Sequence, residues 1–272
     1  MTTALPGFKS GYADVNGAKL YYEIAGSGTP LILVHGLSLD TRMWEGQFGL
    51  LAENYRVIRY DARGHGKSVP TSTDPYSHSQ DLRGFMDALS IERAHLVGLS
   101  MGGQIVIDFI VDNPSRAISL IPVDCTPSGM DYVTDIPQRV GRIIATANES
   151  GMDDAIELWC GDELFAPAVN NPTSVGPLNE IVREYSGWNW TSGATVMDRE
   201  RPATQLLDTI SVPTLVIVGE LDLLDFHVGA DAMEANIAGA RKVVIPGAGH
   251  MSNMEDPAAF NTLITEFLSG VE

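Results

Sequence analysis

Five consecutive residues, Gly98-Leu99-Ser100-Met101-Gly102, limit what this chain can fold into more than any other feature. They separate a short apolar run, Ala94–Leu99, from a longer one, Met101–Val111, that is apolar on nearly all sides. The first has strand length, and the second reads as a helix buried against a sheet. A G-x-S-x-G turn between a strand and a helix forces its serine into a strained backbone conformation. Glycines two residues to either side leave room for the crossing strand and helix. The hydroxyl is then exposed at the end of a sheet, and Ser100 is expected to be a nucleophile.

A serine hydroxyl attacks only when a base takes its proton, and the base needs a carboxylate to orient it. Behind a turn of this kind the chain order is serine, acid, histidine. His250 is the last of six histidines and lies in Pro246-Gly-Ala-Gly-His-Met251, directly after an apolar strand, Lys242–Ile245. It is the expected base. His227, the other histidine downstream of Ser100, falls at the start of a helix, Val228–Ile237. His35, His65, His78 and His95 precede the serine. The acid belongs after the strand Pro213–Val218, where Gly219-Glu220-Leu221-Asp222 offers Asp222; Asp225 and Glu220 are weaker choices. Asp124, at the end of the strand Ala117–Val123, is a rival acid. The tetrahedral intermediate needs two preorganised N–H donors. The backbone of Met101, at a helix N-terminus, and of Leu37, in the loop after Pro30–His35, are expected to supply them.

The rest of the chain gives this turn its setting. Phe8–Val15 and Lys19–Ile24 read as strands joined by Asn16-Gly17, a strong hairpin signal. Pro30–His35 is a continuous apolar strand, followed by helical spacing over Asp40–Glu53, a strand at Tyr55–Tyr60 and a helix at Tyr76–Leu89. A last helix covers Pro257–Leu268. Strands alternating with helices imply a mainly parallel sheet. Residues 126–206 break the rhythm: they hold no buried-strand run, several prolines and glycines, and helical stretches at Gln138–Ala147 and Ala155–Trp159. The expected organisation is a core of 1–125 and 207–272 with a helical cap at 126–206.

Seventeen basic and 35 acidic residues give a net charge of −18. Nucleic acid and anionic membranes attract basic surfaces, so neither is expected as a partner. Met1–Ser10 lacks the basic and apolar regions of a signal peptide, and no apolar run is long enough to span a bilayer. Two cysteines, Cys125 and Cys160, allow one bridge at most and fit a reducing cytoplasm. Gly64-His-Gly-Lys-Ser68 looks like the tail of a phosphate-binding loop, but Asp61 stands where that motif needs glycine. It reads as a tight structural turn. No dinucleotide fingerprint and no paired histidines at metal spacing are present, so neither cofactor nor metal is expected.

His35-Gly36, Tyr60-Asp-Ala-Arg-Gly-His-Gly-Lys-Ser68, Gly98-Leu-Ser-Met-Gly-Gly103, Gly219-Glu-Leu-Asp222 and Gly249-His250 together carry a resemblance. Apart from the cap, the chain is similar to α/β-hydrolases of the esterase–lactonase type. Arg59–Ser68 and Gly98–Gly103 resemble 3-oxoadipate enol-lactonases in particular. The resemblance implies the α/β-hydrolase fold: a mostly parallel eight-stranded sheet, helices on both faces, a helical cap and no cofactor. Serine at 100 disfavours the haloalkane dehalogenases and epoxide hydrolases, which carry aspartate there. Met251 beside His250 disfavours the hydroxynitrile lyases, which carry lysine.

The expected reaction is hydrolysis of a small-molecule ester or lactone, by a monomer or homodimer. A C–C bond hydrolase of a ring-cleavage product, and a ligand sensor that keeps the triad without turnover, remain alternatives. Trp159, Phe165, Tyr185, Trp188 and Trp190 either line the substrate pocket or form the cap's own core. Arg139, Arg142 and Arg183 either clamp a substrate carboxylate or are surface residues.

Overall fold

The computed structural model describes residues 5–271. Met1–Ala4, the start of the stretch read above for a signal peptide, and Glu272 lie outside the described residues. The chain opens with β1 (Lys9–Val15) and β2 (Ala18–Ala25), an antiparallel pair. Their turn has φ of 45° at Asn16 and 80° at Gly17, the two positive angles that a tight hairpin of matching twist requires. Then follow β3 (Pro30–Val34), α1 (Glu45–Leu51), β4 (Arg56–Tyr60), a two-residue β5 (Val69–Pro70) and α2 (His78–Ala88). Next come β6 (Ala94–Leu99), α3 (Met101–Asp112) and β7 (Ala117–Val123). Five helices intervene: α4 (Ile136–Glu149), α5 (Met152–Cys160), α6 (Ala166–Val169), α7 (Val175–Arg183) and α8 (Trp188–Thr191). The chain closes with β8 (Leu215–Gly219), α9 (Leu224–Asn236), β9 (Arg241–Ile245), α10 (Ser252–Glu255) and α11 (Pro257–Ser269).

The sheet runs β1-β2-β4-β3-β6-β7-β8-β9, with β5 pairing on β2. All pairs from β4 to β9 are parallel, while β1 and β2 are antiparallel. Helices cover both faces, with α2 against α3 on one and α1 against α11 elsewhere. Every residue of β6 and β8 is buried, as is all of β3 after Pro30, which is why these strands read as unbroken apolar runs. The described helices include none long and apolar enough to cross a membrane.

Three details depart from the sequence reading. Residues 40–53 do not form one helix: Asp40 caps a 3₁₀ turn, Thr41–Trp44, by accepting from the Arg42 N–H, and α1 starts only afterwards. Tyr76 is not helical; the Ser77 side chain caps α2, and Tyr76 bridges to Val196 instead. The α9 helix begins four residues early, at Leu224, so His227 lies within its first turn. Cys125 and Cys160 are free thiols.

The insertion between β7 and β8 has its own core. Ile143 and Ala147 of α4, Ala155, Ile156 and Trp159 of α5, and Leu178, Ile181 and Val182 of α7 are buried. In α4 the apolar positions Ile136, Val140, Ile143 and Ala147 recur at helical spacing along one stripe. The turn Gly64–Ser68 is a seat for this insertion. A side chain at Gly64 would come within 2.4 Å of the Trp188 ring, and the Ser186 hydroxyl donates to the Gly64 carbonyl at 3.1 Å. The turn is held from within by Asp61, whose carboxylate accepts from the N–H groups of Thr41 and Lys67, both at 2.8 Å. Arg63 makes a buried two-point pair with Asp81, both bonds 2.8 Å long.

Candidate active site

Ser100 sits at φ 55° and ψ −117°, between the end of β6 and the start of α3. That backbone is costly for a residue with a side chain, and packing around it holds it in place. A Cβ on Gly98 would lie 2.1 Å from the Gly102 carbonyl oxygen, and one on Gly102 would lie 2.1 Å from that of Val34. Neither neighbour is a movable side chain. The Ser100 N–H donates to the Val123 carbonyl at 2.9 Å, which ties the turn to the adjacent strand.

The two partners reach Ser100 from loops after β8 and β9. His250 Nε2 lies 2.9 Å from Ser100 Oγ, and Nδ1 lies 2.9 and 3.0 Å from the two carboxylate oxygens of Asp222. The carboxylate fixes the proton on Nδ1 and leaves Nε2 as acceptor toward the serine. The two loops are knitted by backbone: Glu220 N–H donates to Ile245 at 3.0 Å and Leu221 N–H to Ala248 at 2.8 Å. A side chain at Gly219 would meet the Gly249 carbonyl at 2.2 Å. His250 is buried, with the Phe226 ring centroid 4.2 Å from its own.

The rival acids stand elsewhere. Asp124, at φ 45°, accepts from the Gly219 N–H at 2.7 Å and from the Ser252 hydroxyl at 2.5 Å. It thus braces the strand end before Asp222 and the turn after His250, without bonding to His250. Burial first, and the charge of Asp222 second, push its carboxyl well above the usual range. Asp225 is spent on the insertion, accepting from the N–H groups of Val133 and Thr134 at 2.6 and 3.2 Å.

The two expected donor residues line the cavity together with Ser100. Met101 is the first residue of α3, and its N–H has no carbonyl one turn earlier to meet. The Leu37 loop approaches so closely that a Cβ on Gly36 would lie 3.4 Å from that of Ser100. His35 shapes this loop: Nε2 accepts from the Ala62 N–H and Nδ1 donates to the Gly36 carbonyl, both at 2.8 Å. Burial holds His35 below its ordinary pKa, in the neutral form these bonds require.

Two contributions were not visible in the sequence. Glu255 accepts from the N–H groups of Gly249 at 2.7 Å and Met251 at 3.0 Å, so it clasps the backbone on both sides of His250. Burial raises its pKa, and those two N–H groups oppose the rise. Ser38 donates to the Leu37 carbonyl and accepts from Trp159 Nε1–H, both at 2.6 Å. The donor loop is thereby tied to the insertion.

Ser100 opens into a cavity of about 240 Å³ with an apolar wall. Trp159 and Phe165 line it, with Leu164, Ile136, Tyr132 and Phe226, while both are also buried within the insertion. Trp190 lines an adjoining chamber of about 340 Å³ instead. Tyr185 and Trp188 line neither. Tyr185 stacks on His65 with centroids 5.1 Å apart, and Trp188 packs on Tyr76 and Gly64. Both pack the insertion against the Gly64–His65 turn and Tyr76.

The alpha/beta hydrolase family model matches residues 31–263, which include the serine turn, the acid and the histidine. The chain belongs to the alpha/beta hydrolase family. Among solved structures of this family, an enol-lactonase from Burkholderia xenovorans shares 28% identity with it at a TM-score of 0.81. That likeness covers 95% of this chain and all of the other. A thermophilic esterase from Thermogutta terrifontis shares 28% identity at a TM-score of 0.82, covering 97% and 99%. A dihydrolipoyllysine-residue acetyltransferase component of an acetoin cleaving system, from Cupriavidus necator, is 30% identical over 95% of this chain and 69% of its own. The alpha/beta hydrolase frame thus brings Ser100, His250 and Asp222 together, and helices between β7 and β8 supply Trp159, Leu164 and Phe165 to the cavity beside them.

Proposed function

We propose that this protein hydrolyses small-molecule carboxylic esters or lactones by acyl transfer through Ser100, with His250 and Asp222 completing a triad. The unbroken line from Ser100 Oγ through His250 to Asp222, with steps of 2.9 Å each, carries this reading. It supplies a nucleophile, a base and an orienting carboxylate where an apolar cavity opens. The esterase and enol-lactonase likenesses support the same reaction class.

The chemistry follows from the geometry. Ser100 Oγ attacks the ester carbonyl as its proton passes to His250 Nε2. The oxyanion is held by the N–H groups of Met101 and Leu37, and Asp222 stabilises the imidazolium. As the tetrahedral intermediate collapses, His250 returns the proton to the leaving alkoxide. Water, deprotonated by the same nitrogen, then attacks the acyl-serine, and Ser100 recovers its proton through His250. For a lactone the leaving hydroxyl remains attached to the acyl group, and the product is a hydroxy acid.

The test is incubation with p-nitrophenyl butyrate and with a fluorophosphonate. Wild type is expected to turn over the ester and to be labelled at one serine. Ser100→Ala is expected to lose ~10⁴-fold or more in kcat and all labelling. A Ser100→Ala variant as active as wild type would refute the assignment.

A further inference from the structure

We infer that the site accepts uncharged acyl groups and rejects those ending in a carboxylate; this rests on the ester and lactone reading above. The lining around Ser100 carries no free cation. None of the described residues lining its cavity is a lysine or arginine. Its apolar lining includes Phe165, Leu164, Trp159 and Ile136, with Phe226 against His250. The adjoining chamber shares Leu37, Met101, Gln104 and Val140 with it, so an extended substrate could pass from one to the other around Ser100.

The neighbouring cations are already engaged. Arg199 lines the adjoining chamber, but both of its terminal nitrogens bond Asp112, and Asp108 lies 3.6 Å from its Nε. Arg139 is buried against Glu163, Asp162 and Asp135. Arg142 is exposed beside Asp135, and Arg183 is exposed on α7. Arg42, near the insertion, is shared among Asp40, Glu180 and Glu184. The arginines considered above as a carboxylate clamp therefore do not form one. His78, in the adjoining chamber, is buried, and burial lowers its pKa to about 3, so it is neutral.

A carboxylate entering this space would exchange water for a mostly apolar lining, in which Gln104, Thr126 and Tyr132 are polar but uncharged and no free cation stands opposite it. The net charge of −18 adds a repulsive field at longer range. Both effects act against anionic substrates and leave neutral ones untouched. An apolar acyl chain of several carbons, by contrast, gains by leaving water.

Matched substrates isolate this property. p-Nitrophenyl hexanoate and mono-p-nitrophenyl adipate differ by a methyl against a carboxylate at the chain end. The methyl ester of the adipate restores neutrality at larger size. The expected kcat/KM for the adipate is ~100-fold below hexanoate or lower, with the methyl adipate ester within ~10-fold of hexanoate. Ile136→Arg, which places a cation at the cavity wall, is expected to narrow the adipate deficit ~10-fold or more. Equal turnover of adipate and hexanoate would overturn the inference while leaving the esterase reading intact. A methyl adipate ester as slow as the free adipate would also overturn it, since size and not charge would then discriminate. Failure of all three esters, with no fluorophosphonate labelling of Ser100, would remove the esterase reading and this inference with it.

Discussion

The loops at the carboxyl ends of the strands and the helices that cover them are held in place by different means. Around Ser100, backbone packs on backbone: Gly98, Gly102 and Gly219 each face a carbonyl group at a distance no side chain could share. In the insertion, side chains pack on side chains, and Gly141 and Gly176 have nothing within 4 Å of where a Cβ would stand. The first arrangement permits almost no adjustment. The second can exchange one apolar residue for another and reshape the cavity without moving the triad. The molecule thus sets its triad in rigid backbone and its cavity wall in side-chain packing, which is why reaction class can be argued from the turn and substrate class only from the wall.

The largest effects should come from the fixed region. Asp222→Asn leaves the shape of the site intact but offers His250 Nδ1 an amide. The imidazole can then adopt the wrong tautomer, and kcat is expected to fall ~10⁴-fold. Asp124→Asn removes a carboxylate that touches neither Ser100 nor His250, and its expected loss in kcat is ~10-fold or less. Side-by-side kcat values for the two variants separate the roles. Equal losses would mean that Asp124 shares the role of the acid.

Glycine substitutions test the comparison directly. Gly102→Ala places a methyl group 2.1 Å from the Val34 carbonyl oxygen and is expected to cost several kcal/mol, about 3 or more, or to prevent folding. Gly141→Ala, inside α4 and facing open space, should instead stabilise by about 0.5–1 kcal/mol. Urea midpoints of the two variants measure this. A tolerated Gly102→Ala would show that the serine turn is less constrained than its packing indicates.

The same contrast governs what could be read from the sequence. The strand–turn–helix around Ser100, the order of Asp222 and His250, and the apolar central strands were legible, because each demands particular residue types at fixed spacing. The insertion was legible only as helical. Its prolines suggested breaks, yet Pro137 and Pro167 lie at the first turns of α4 and α6, where no backbone donor is lost. Pro177 likewise falls early in α7, a helix the sequence did not reveal. Aromatic side chains announce burial but not direction, so Trp159 and Tyr185 looked alike. Glu255 was invisible because a carboxylate that accepts backbone N–H groups leaves no periodic trace.

The seam between the two regions is marked by buried histidines. His35, His65 and His78 all have pKa values lowered by burial, with His78 pushed down to about 3. For His78 the unfolded chain takes up a proton below about pH 6.5 while the folded chain does not until about pH 3. Its contribution to stability is therefore present above pH 6.5 and is lost as the pH falls toward 3. Between pH 7 and 5 this linkage amounts to about 2 kcal/mol. His78→Gln is expected to shrink the loss of stability over that range by about this much, read from urea unfolding at the two values. An unchanged slope would place the acid sensitivity elsewhere.

The smallest expected effect probes the side-chain bond from Trp159 to Ser38, which joins the insertion to the loop that holds Leu37. Trp159→Phe keeps an aromatic wall but deletes the Nε1–H that donates to Ser38, whose hydroxyl bonds the Leu37 carbonyl. Losing one such bond is worth about 1 kcal/mol, or ~5-fold. If the bond steadies the Leu37 donor, that factor should fall on kcat, because an oxyanion contact is made in the transition state and not in the bound ester. If Trp159 serves only as wall, the loss should fall on KM for long acyl chains and vanish for acetate. Comparing p-nitrophenyl acetate with hexanoate in this one variant therefore decides whether the insertion merely shapes the cavity or also tunes the fixed region beneath it.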